Sequence, residues 1–342
     1  MKRLAIFAHY DDRREVKRHV VHHMAETATV SAAHGGPPAG VDEVRGGPPP
    51  NADNVCALVI THEPDRELST RLAKVLAQMG RVIVVDDGSV HQMATLDALG
   101  VDPRVEVLRL GENRGIAAAL NRGFERARER GFEWVVTLDQ DARVYDDLLT
   151  TLLGVYADCP FRDALAVIGA NFDESSTGTT GTAGIRATTA PWVEVGEVIT
   201  SGSLQSVQAF TRIGPFRDDF FMYFVDNEYC RRAGRSGYRV VIATKPVMLH
   251  QTGRAKRWRL PFGEVVVYNY APWRHYYIVR NGIVMVRENF RRDLGWSARA
   301  VRNLAKRTLY AVALEDHKLE KMKLVARAIR DGVAGKTGKL ER

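Results

Sequence analysis

Residues 134–141 read WVVTLDQD. The apolar run of Val135, Val136 and Leu138 ends in two carboxylates one residue apart, Asp139 and Asp141. Such a run has the composition of a buried strand. Its acidic end is then the C-terminal edge, where open α/β sheets bind ligands. In an extended segment residues i and i+2 point the same way, so both acids can face one site. Two carboxylates held together repel unless a cation or a donor neutralises them. A divalent metal holding a phosphorylated ligand would do so; a solvated turn at a strand end is the plainer reading.

Upstream, residues 55–61 (VCALVIT) form an expected strand and 65–79 an expected helix with apolar positions at 68, 72, 75, 76 and 79. A second strand at 81–85 (RVIVV) runs into Asp86-Asp87-Gly88-Ser89, a short third strand covers 105–108, and a helix covers 116–130. Strands alternating with helices imply an α/β fold with a mostly parallel sheet covered on both faces. Each polar motif falls just after a strand, the expected place for a nucleotide pocket. Asp86 or Asp87 could accept from a nucleobase imide or a ribose hydroxyl, or could cap a helix. Gly88 permits close backbone approach or positive φ. Asn113-Arg114-Gly115 precedes a helix N-terminus and suits an anionic ligand or an ordinary capped turn.

Downstream, residues 166–171 read as a strand, 175–184 as a Ser/Thr/Gly-rich loop, and 192–200 lead into Ser201-Gly202-Ser203. In FFMYFVDNEYCRR (residues 220–232) the acids Asp226 and Glu228 sit beside an aromatic wall, ahead of a basic helical segment. Apolar surroundings can tune a carboxylate toward general-base work, whereas acids at a helix start also complement the helix dipole. A strand resuming at residues 237–240 ends near His250, which fits either a metal or diphosphate contact or a structural role.

Composition narrows the partners. Hydrophobic content of 45% supports a sizeable core, and three separated cysteines give no zinc or disulfide pattern, consistent with a reducing cytoplasm. No apolar run spans a bilayer and the N-terminus lacks a signal-peptide core. Residues 254–342 hold 21 Lys+Arg against 8 Asp+Glu, a net of +13, which leaves −5 for the remainder of a chain totalling +8. Anionic membrane and nucleic acid are both candidates for that field. Residues 1–26 suggest a short strand–helix unit, with LAIFA at 4–8 and a helix at 16–24. HGGPPAG and RGGPPP mark residues 27–53 as a linker. The histidines at 9, 19, 22, 23 and 34 read as surface residues, because no ligand spacing supports a metal site.

Taken in order, ITHEP, VVDDGS, ENRGIAAALNRG, LDQD, TSG, RIGPFRDDFFMYFVDNEYCRR, GYRV and LHQTGR resemble family 2 glycosyltransferases of the GT-A fold. LDQD, FFMYFVDNEY and the later HYYIVRN are similar to the bacterial rhamnosyltransferase branch. The resemblance covers about residues 54–289; MKRLAIFAHYD at the start loosely resembles the opening of rhamnan-synthesis enzymes. It implies a catalytic domain at 54–253 with a basic, helical C-terminal extension at 254–342. It also implies inverting transfer from a nucleotide sugar, with dTDP-L-rhamnose the expected donor and Mg²⁺ or Mn²⁺ the cofactor. Asp87, with Asp86 beside it, matches the nucleobase or nucleoside contact. Asn113, Arg114 and Gly115 match a donor loop, and Asp139 the acid nearest the ribose. Thr61 and Gly202 fall in donor-binding motifs, and Arg254 is placed near the diphosphate. Asp141 matches the metal ligand, with His250 reaching the metal or diphosphate in some relatives. Asp226 matches the general base, although Val225 stands where a Glu is usual; Glu228 is the second choice. The same fold with a UDP-galactofuranose or UDP-N-acetylhexosamine donor, and a non-catalytic sugar-nucleotide-binding scaffold, are the alternatives.

The C-terminal segment carries the remaining expectations. YNYAPWRHYYIVR at residues 268–280 interleaves aromatics with cations, as base-stacking surfaces and membrane interfaces do. Residues 294–314 form a basic amphipathic helix, with Leu294, Ala298, Val301, Ala305, Thr308 and Val312 near one face. A further helix is expected at 318–333 and a frayed tail after Gly335. The resemblance favours a peripheral enzyme at the cytoplasmic face of the plasma membrane, acting on a glycan or polyprenyl-diphosphate-linked acceptor. Homo-oligomerisation is possible on this reading, and no nucleic-acid partner is expected.

Overall fold

The computed structural model describes residues 47–175, 179–180, 189–251, 253, 255–261 and 263–341. The expected N-terminal strand–helix unit, most of the linker, residues 176–178 and 181–184 of the expected 175–184 loop, and Arg254 lie outside the described residues.

The chain opens as β1 (Val55–Thr61), α1 (Leu68–Leu76), β2 (Val82–Asp86), α2 (Met93–Leu99), β3 (Val105–Arg109), α3 (Ile116–Glu129) and β4 (Trp134–Asp139). The four strands pair in parallel in the order β3-β2-β1-β4. All seven residues of β1 are buried because helices cover both faces. Val55, Ala57 and Val59 pack with Leu68, Leu72 and Leu96 of α1 and α2, while Leu58 and Ile60 pack with Leu120 and Phe124 of α3.

The second half mixes directions. β5 (Arg143–Val144), α4 (Leu148–Asp158), β6 (Leu165–Glu174), β7 (Thr179–Thr180), β8 (Trp192–Glu194), β9 (Ser203–Ser206), α5 (Val207–Ile213), α6 (Val225–Arg235) and β10 (Arg239–His250) follow. The sheet continues β4-β9-β6-β10-β5, with β7 on β6 and β8 on β10. β9 runs antiparallel to both neighbours, whereas β6 and β10 are parallel. The residues of β9 are Ser-Leu-Gln-Ser, and all four are buried. Gln205 Nε2 donates to Thr137 Oγ1 (3.0 Å), and Ser206 Oγ accepts from the Ala209 amide to cap α5 (3.0 Å). A polar tetrapeptide becomes a central strand because both serine hydroxyls and the Gln205 amide nitrogen are bonded inside, although Gln205 Oε1 is buried without a hydrogen-bond partner.

β11 (Lys256–Leu260) and β12 (Gly263–Val267) form a hairpin, and α7 (Pro272–Asn289), α8 (Leu294–Leu314) and α9 (Lys318–Ala334) close the chain. Two expectations are corrected here. The aromatic–basic stretch is not a lipid or base platform: Tyr268, Tyr270, Tyr276, Tyr277, His275 and Arg280 are buried, and among its aromatics Trp273 is the exposed one. Tyr277 stacks on Phe221 at 5.0 Å, so the rings serve as core between α7 and the 220–224 loop. The tail is docked rather than frayed. Gly335 ends α9 with φ +74, after which the Gly338 amide donates to the Asp219 carbonyl and the Leu340 amide to the Tyr277 hydroxyl (2.7 Å).

Candidate functional site

The C-terminal ends of β1, β2 and β4 converge on one edge through hydrogen bonds. Asp86 ends β2 fully buried; its carboxylate accepts from Thr61 Oγ1 (3.2 Å) and from the Ser89 amide (2.9 Å) and hydroxyl. Asp87 is also buried and accepts from the amides of Arg114 (2.6 Å) and Gly115 (2.9 Å), which anchors the loop opening α3. Burial raises the Asp87 carboxyl above its ordinary value, and those two amides oppose the shift. Neither acid caps α2, whose N-cap is Gln92. Gly88 has φ +73, and a Cβ there would lie 2.4 Å from the Asn113 nitrogen, so glycine is what allows the two loops to touch. Asn113 Oδ1 is buried without a hydrogen-bond partner, and Arg114 is exposed.

Two residues outside the sequence-based candidates tie this edge together. Gln140 sits between Asp139 and Asp141; its Oε1 accepts from the His62 amide (2.8 Å) and its Nε2 donates to the His62 carbonyl (3.2 Å). His62 Nδ1 in turn donates to the Asp87 carbonyl (2.8 Å). The signal was present as ITHEP and LDQD, but only the parallel pairing of β1 with β4 brings those two motifs into contact.

The extended geometry expected for Asp139 and Asp141 is replaced by a turn. β4 stops at Asp139, whose carbonyl accepts from the Ala142 amide (3.1 Å), and Asp141 is exposed beyond it. The two charges still act on each other. Desolvation raises the Asp139 carboxyl, His250 opposes that shift, and Asp141 adds to it. Ser201 Oγ accepts from the Asp139 amide (3.1 Å), and the neighbouring Gly202 amide donates to the Thr137 carbonyl (2.7 Å). Arg274 of α7 is a further participant: its charge acts on both Asp139 and Asp141, and its guanidinium donates to the Tyr223 hydroxyl (3.2 Å). Nothing in the local sequence around Arg274 distinguished it from its basic neighbours.

Asp226 occupies the first turn of α6, a partly exposed position facing this group. Its carboxyl is pushed up to about 6, chiefly by desolvation and further by the charges of Glu197 and Asp139. Glu197 is itself buried and accepts from Asn227 Nδ2 (2.7 Å) and Trp296 Nε1 (2.9 Å). Glu228 has a different environment. It pairs with Arg232 at 2.9 Å, and Arg232 also holds the Ile213 and Pro215 carbonyls.

Among the described residues no group of three or more His, Cys, Asp or Glu is arranged to hold a metal unaided. A hard cation bound with a substrate diphosphate needs only one or two protein carboxylates, since phosphate oxygens and water complete its shell. Asp139, Asp141 and His250, whose Nδ1 is buried without a partner, fit that smaller demand. A cavity of about 370 Å³ lies elsewhere, beside Arg217, Arg287, Glu288 and Thr337. Arg217 on its wall is already paired with Asp219 and Glu288, and none of the strand-end acids lines it.

The dTDP-rhamnosyl transferase RfbF of Shigella flexneri is 27% identical over 295 residues, which is 83% of this chain and 97% of that relative. Two crystal structures of S. aureus TarS share the fold at 15% identity. One aligns over 82% of this chain with a TM-score of 0.51, the other, of TarS residues 1–349, over 83% with 0.50. The chain spans about half (49%) of the longer TarS structure and 81% of the shorter. The α/β sheet flanked by helices, with its three C-terminal helices, is thus GT-A-like. Residues 56–214 match the model described as glycosyl transferase family 2, and that match identifies this stretch of the chain, which holds the strand-end acids Asp86, Asp87, Asp139 and Asp141, as a family 2 glycosyl transferase domain.

Proposed function

We propose that this chain is an inverting, metal-dependent glycosyltransferase. It transfers L-rhamnose from dTDP-L-rhamnose to a lipid-linked cell-surface glycan, with residues 54–253 as its catalytic unit. The observation that carries the chemistry is Asp226: a carboxyl held near 6, partly exposed, at a helix start, and within reach of the charge of Asp139, on which His250 also acts. The name of the Shigella relative supports the sugar.

Asp87 and the Asn113–Gly115 loop line the nucleoside end, with Thr61 and Asp86 bracing the turn behind them. Asp139 lies towards the ribose. Asp141, with His250, would hold Mg²⁺ or Mn²⁺, which when bound supplies charge to stabilise the departing diphosphate. Arg274 adds a fixed positive charge on the same side. Asp226 accepts the proton of the acceptor hydroxyl as its oxygen bonds to the anomeric carbon and the carbon–phosphate oxygen bond breaks. Attack opposite the leaving group inverts the anomeric centre, so no enzyme nucleophile is needed. Glu228 is left to brace α6 through Arg232.

The test is calorimetric binding of dTDP- and UDP-sugars with and without Mn²⁺. Metal-dependent preference for dTDP-L-rhamnose is the expected result. Preference for a UDP-sugar would overturn the donor and keep the mechanism; no binding to any member would overturn both.

A further inference from the structure

The segment that delivers Asp226 is strained. Phe221, Tyr223 and Phe224 have φ of +66, +63 and +62, and none is glycine. L residues rarely adopt that conformation, and it persists only where the surroundings over-determine it. Here the surroundings are two buried side chains of α7. Asn281 Nδ2 lies 3.0, 2.8 and 3.0 Å from the carbonyl oxygens of Phe220, Met222 and Tyr223. Its Oδ1 accepts from Arg280 Nε (2.8 Å), and Arg280 Nη2 donates to the Phe220 carbonyl (3.0 Å). Arg280 is 1% exposed and Asn281 0%.

Phe224 is the N-cap of α6, so the last left-handed residue stands two positions before Asp226. The other side of the loop meets the donor loop. A Cβ on Gly115 would fall 2.5 Å from the Phe221 carbonyl oxygen, and Lys339 Nζ from the docked tail donates to the Asn113 carbonyl (2.8 Å). The loop is therefore held between the expected donor site and α7, and its shape sets where the carboxylate of Asp226 stands relative to the donor.

We propose that Asn281 is the positioning residue of the general base: its amide gathers three carbonyls, imposes the left-handed turn, and thereby fixes Asp226. Arg280 orients the Asn281 amide by engaging its oxygen and shares the Phe220 carbonyl. This rests on Asp226 being the base. Neither Arg280 nor Asn281 touches substrate in this arrangement; both act through the loop.

Asn281→Ser keeps one hydroxyl donor on a shorter arm, and Arg280→Lys keeps the charge while losing the fork. Each is compared with Asp226→Asn in the full chain with Mn²⁺. Nucleoside diphosphate release is followed from whichever dTDP- or UDP-sugar the wild-type chain turns over best. Rates are expressed per site able to bind that nucleotide sugar, so that unfolded protein does not count. Displacing a catalytic group by a fraction of an ångström to 1 Å costs up to about 100-fold. Asn281→Ser is expected to lower kcat by about 10- to 100-fold with donor KM within about threefold, and Arg280→Lys by a smaller factor with the same split. Wild-type kcat in Asn281→Ser beside an inactive Asp226→Asn overturns the positioning role and keeps the base. Turnover in Asp226→Asn overturns the base, and the positioning role with it. If Asn281→Ser does not fold, Arg280→Lys decides: wild-type kcat per binding site in that variant overturns the proposal.

Discussion

Asp226 ionises near its ordinary value of 3.8 in an unfolded chain and near 6 in the folded one. Between those values the folded state holds more proton, so stability falls as pH rises from about 4 to about 6 and stays lower above. About two pH units correspond to about 3 kcal/mol at most. Asp226→Asn is therefore expected to melt a few degrees higher than wild type at pH 8 and nearly level with it at pH 4, measured by calorimetry. The same carboxyl must be ionised to accept a proton. For the wild type, kcat/KM is expected to fall about tenfold per pH unit below about 6 and to level off above it. Asp226→Asn should lose about 10²- to 10⁴-fold in transfer while still binding donor. A flat profile through pH 5–7, or transfer at the wild-type rate in the variant, rules out the assignment. Asp226 drew the base assignment from sequence because it stands in a recognisable string with an aromatic wall before it. Gln140, His62, Arg274 and Asn281 were not singled out, because their roles depend on partners 51 to 78 positions away in the chain.

Elements with a clean apolar period were legible, and those built on internal polar bonds were not. The helices at 294–314 and 116–129, and the strands of β1 and β2, follow their patterns closely. β9 and α5 were hidden because Ser-Leu-Gln-Ser carries no hydrophobic alternation, and its stability comes from bonds to Thr137 and Ala209. The attachment of α8 was equally invisible. Trp296 in its first turn donates to the buried Glu197, and Arg231 of α6 lies 4.2 Å over the same indole ring. Glu197 also accepts from Asn227, the neighbour of Asp226, so α8 is tied to the helix that carries the proposed base. Trp296→Phe keeps most of the ring packing and removes the donor from a buried carboxylate. An expected loss of about 1–3 kcal/mol in urea-unfolding free energy follows. A loss below about 0.5 kcal/mol would mean that the indole contributes through packing alone.

At the scale of the molecule, the charge imbalance legible in the sequence acquires a location. No described helix is long and apolar enough to cross a membrane. α8 nevertheless leaves Leu294, Val301 and Leu309 at 61%, 50% and 64% exposure, on a helix that also carries Arg299, Arg302 and Lys306. α9 leaves Leu319, Met322, Ile329 and Val333 exposed at successive spacings of three, seven and four, a second apolar stripe on the same unit. Apolar side chains flanked by cations suit a leaflet that is itself anionic, each basic residue near the surface contributing about 1 kcal/mol. Removing whole helices would not test this, since Trp296 and Val325 are buried in the fold. Exposed positions do. Val301→Glu with Leu309→Glu is expected to lower partition onto vesicles containing phosphatidylglycerol at least tenfold while leaving the melting temperature unchanged. Wild-type partition should weaken as salt rises, because surface attraction is screened within about 10 Å at 0.1 M. If the double variant binds as wild type does, the α8 face is not the contact. If instead the wild type ignores vesicles but sediments as a dimer that the variant dissolves, the stripe joins two copies of the chain.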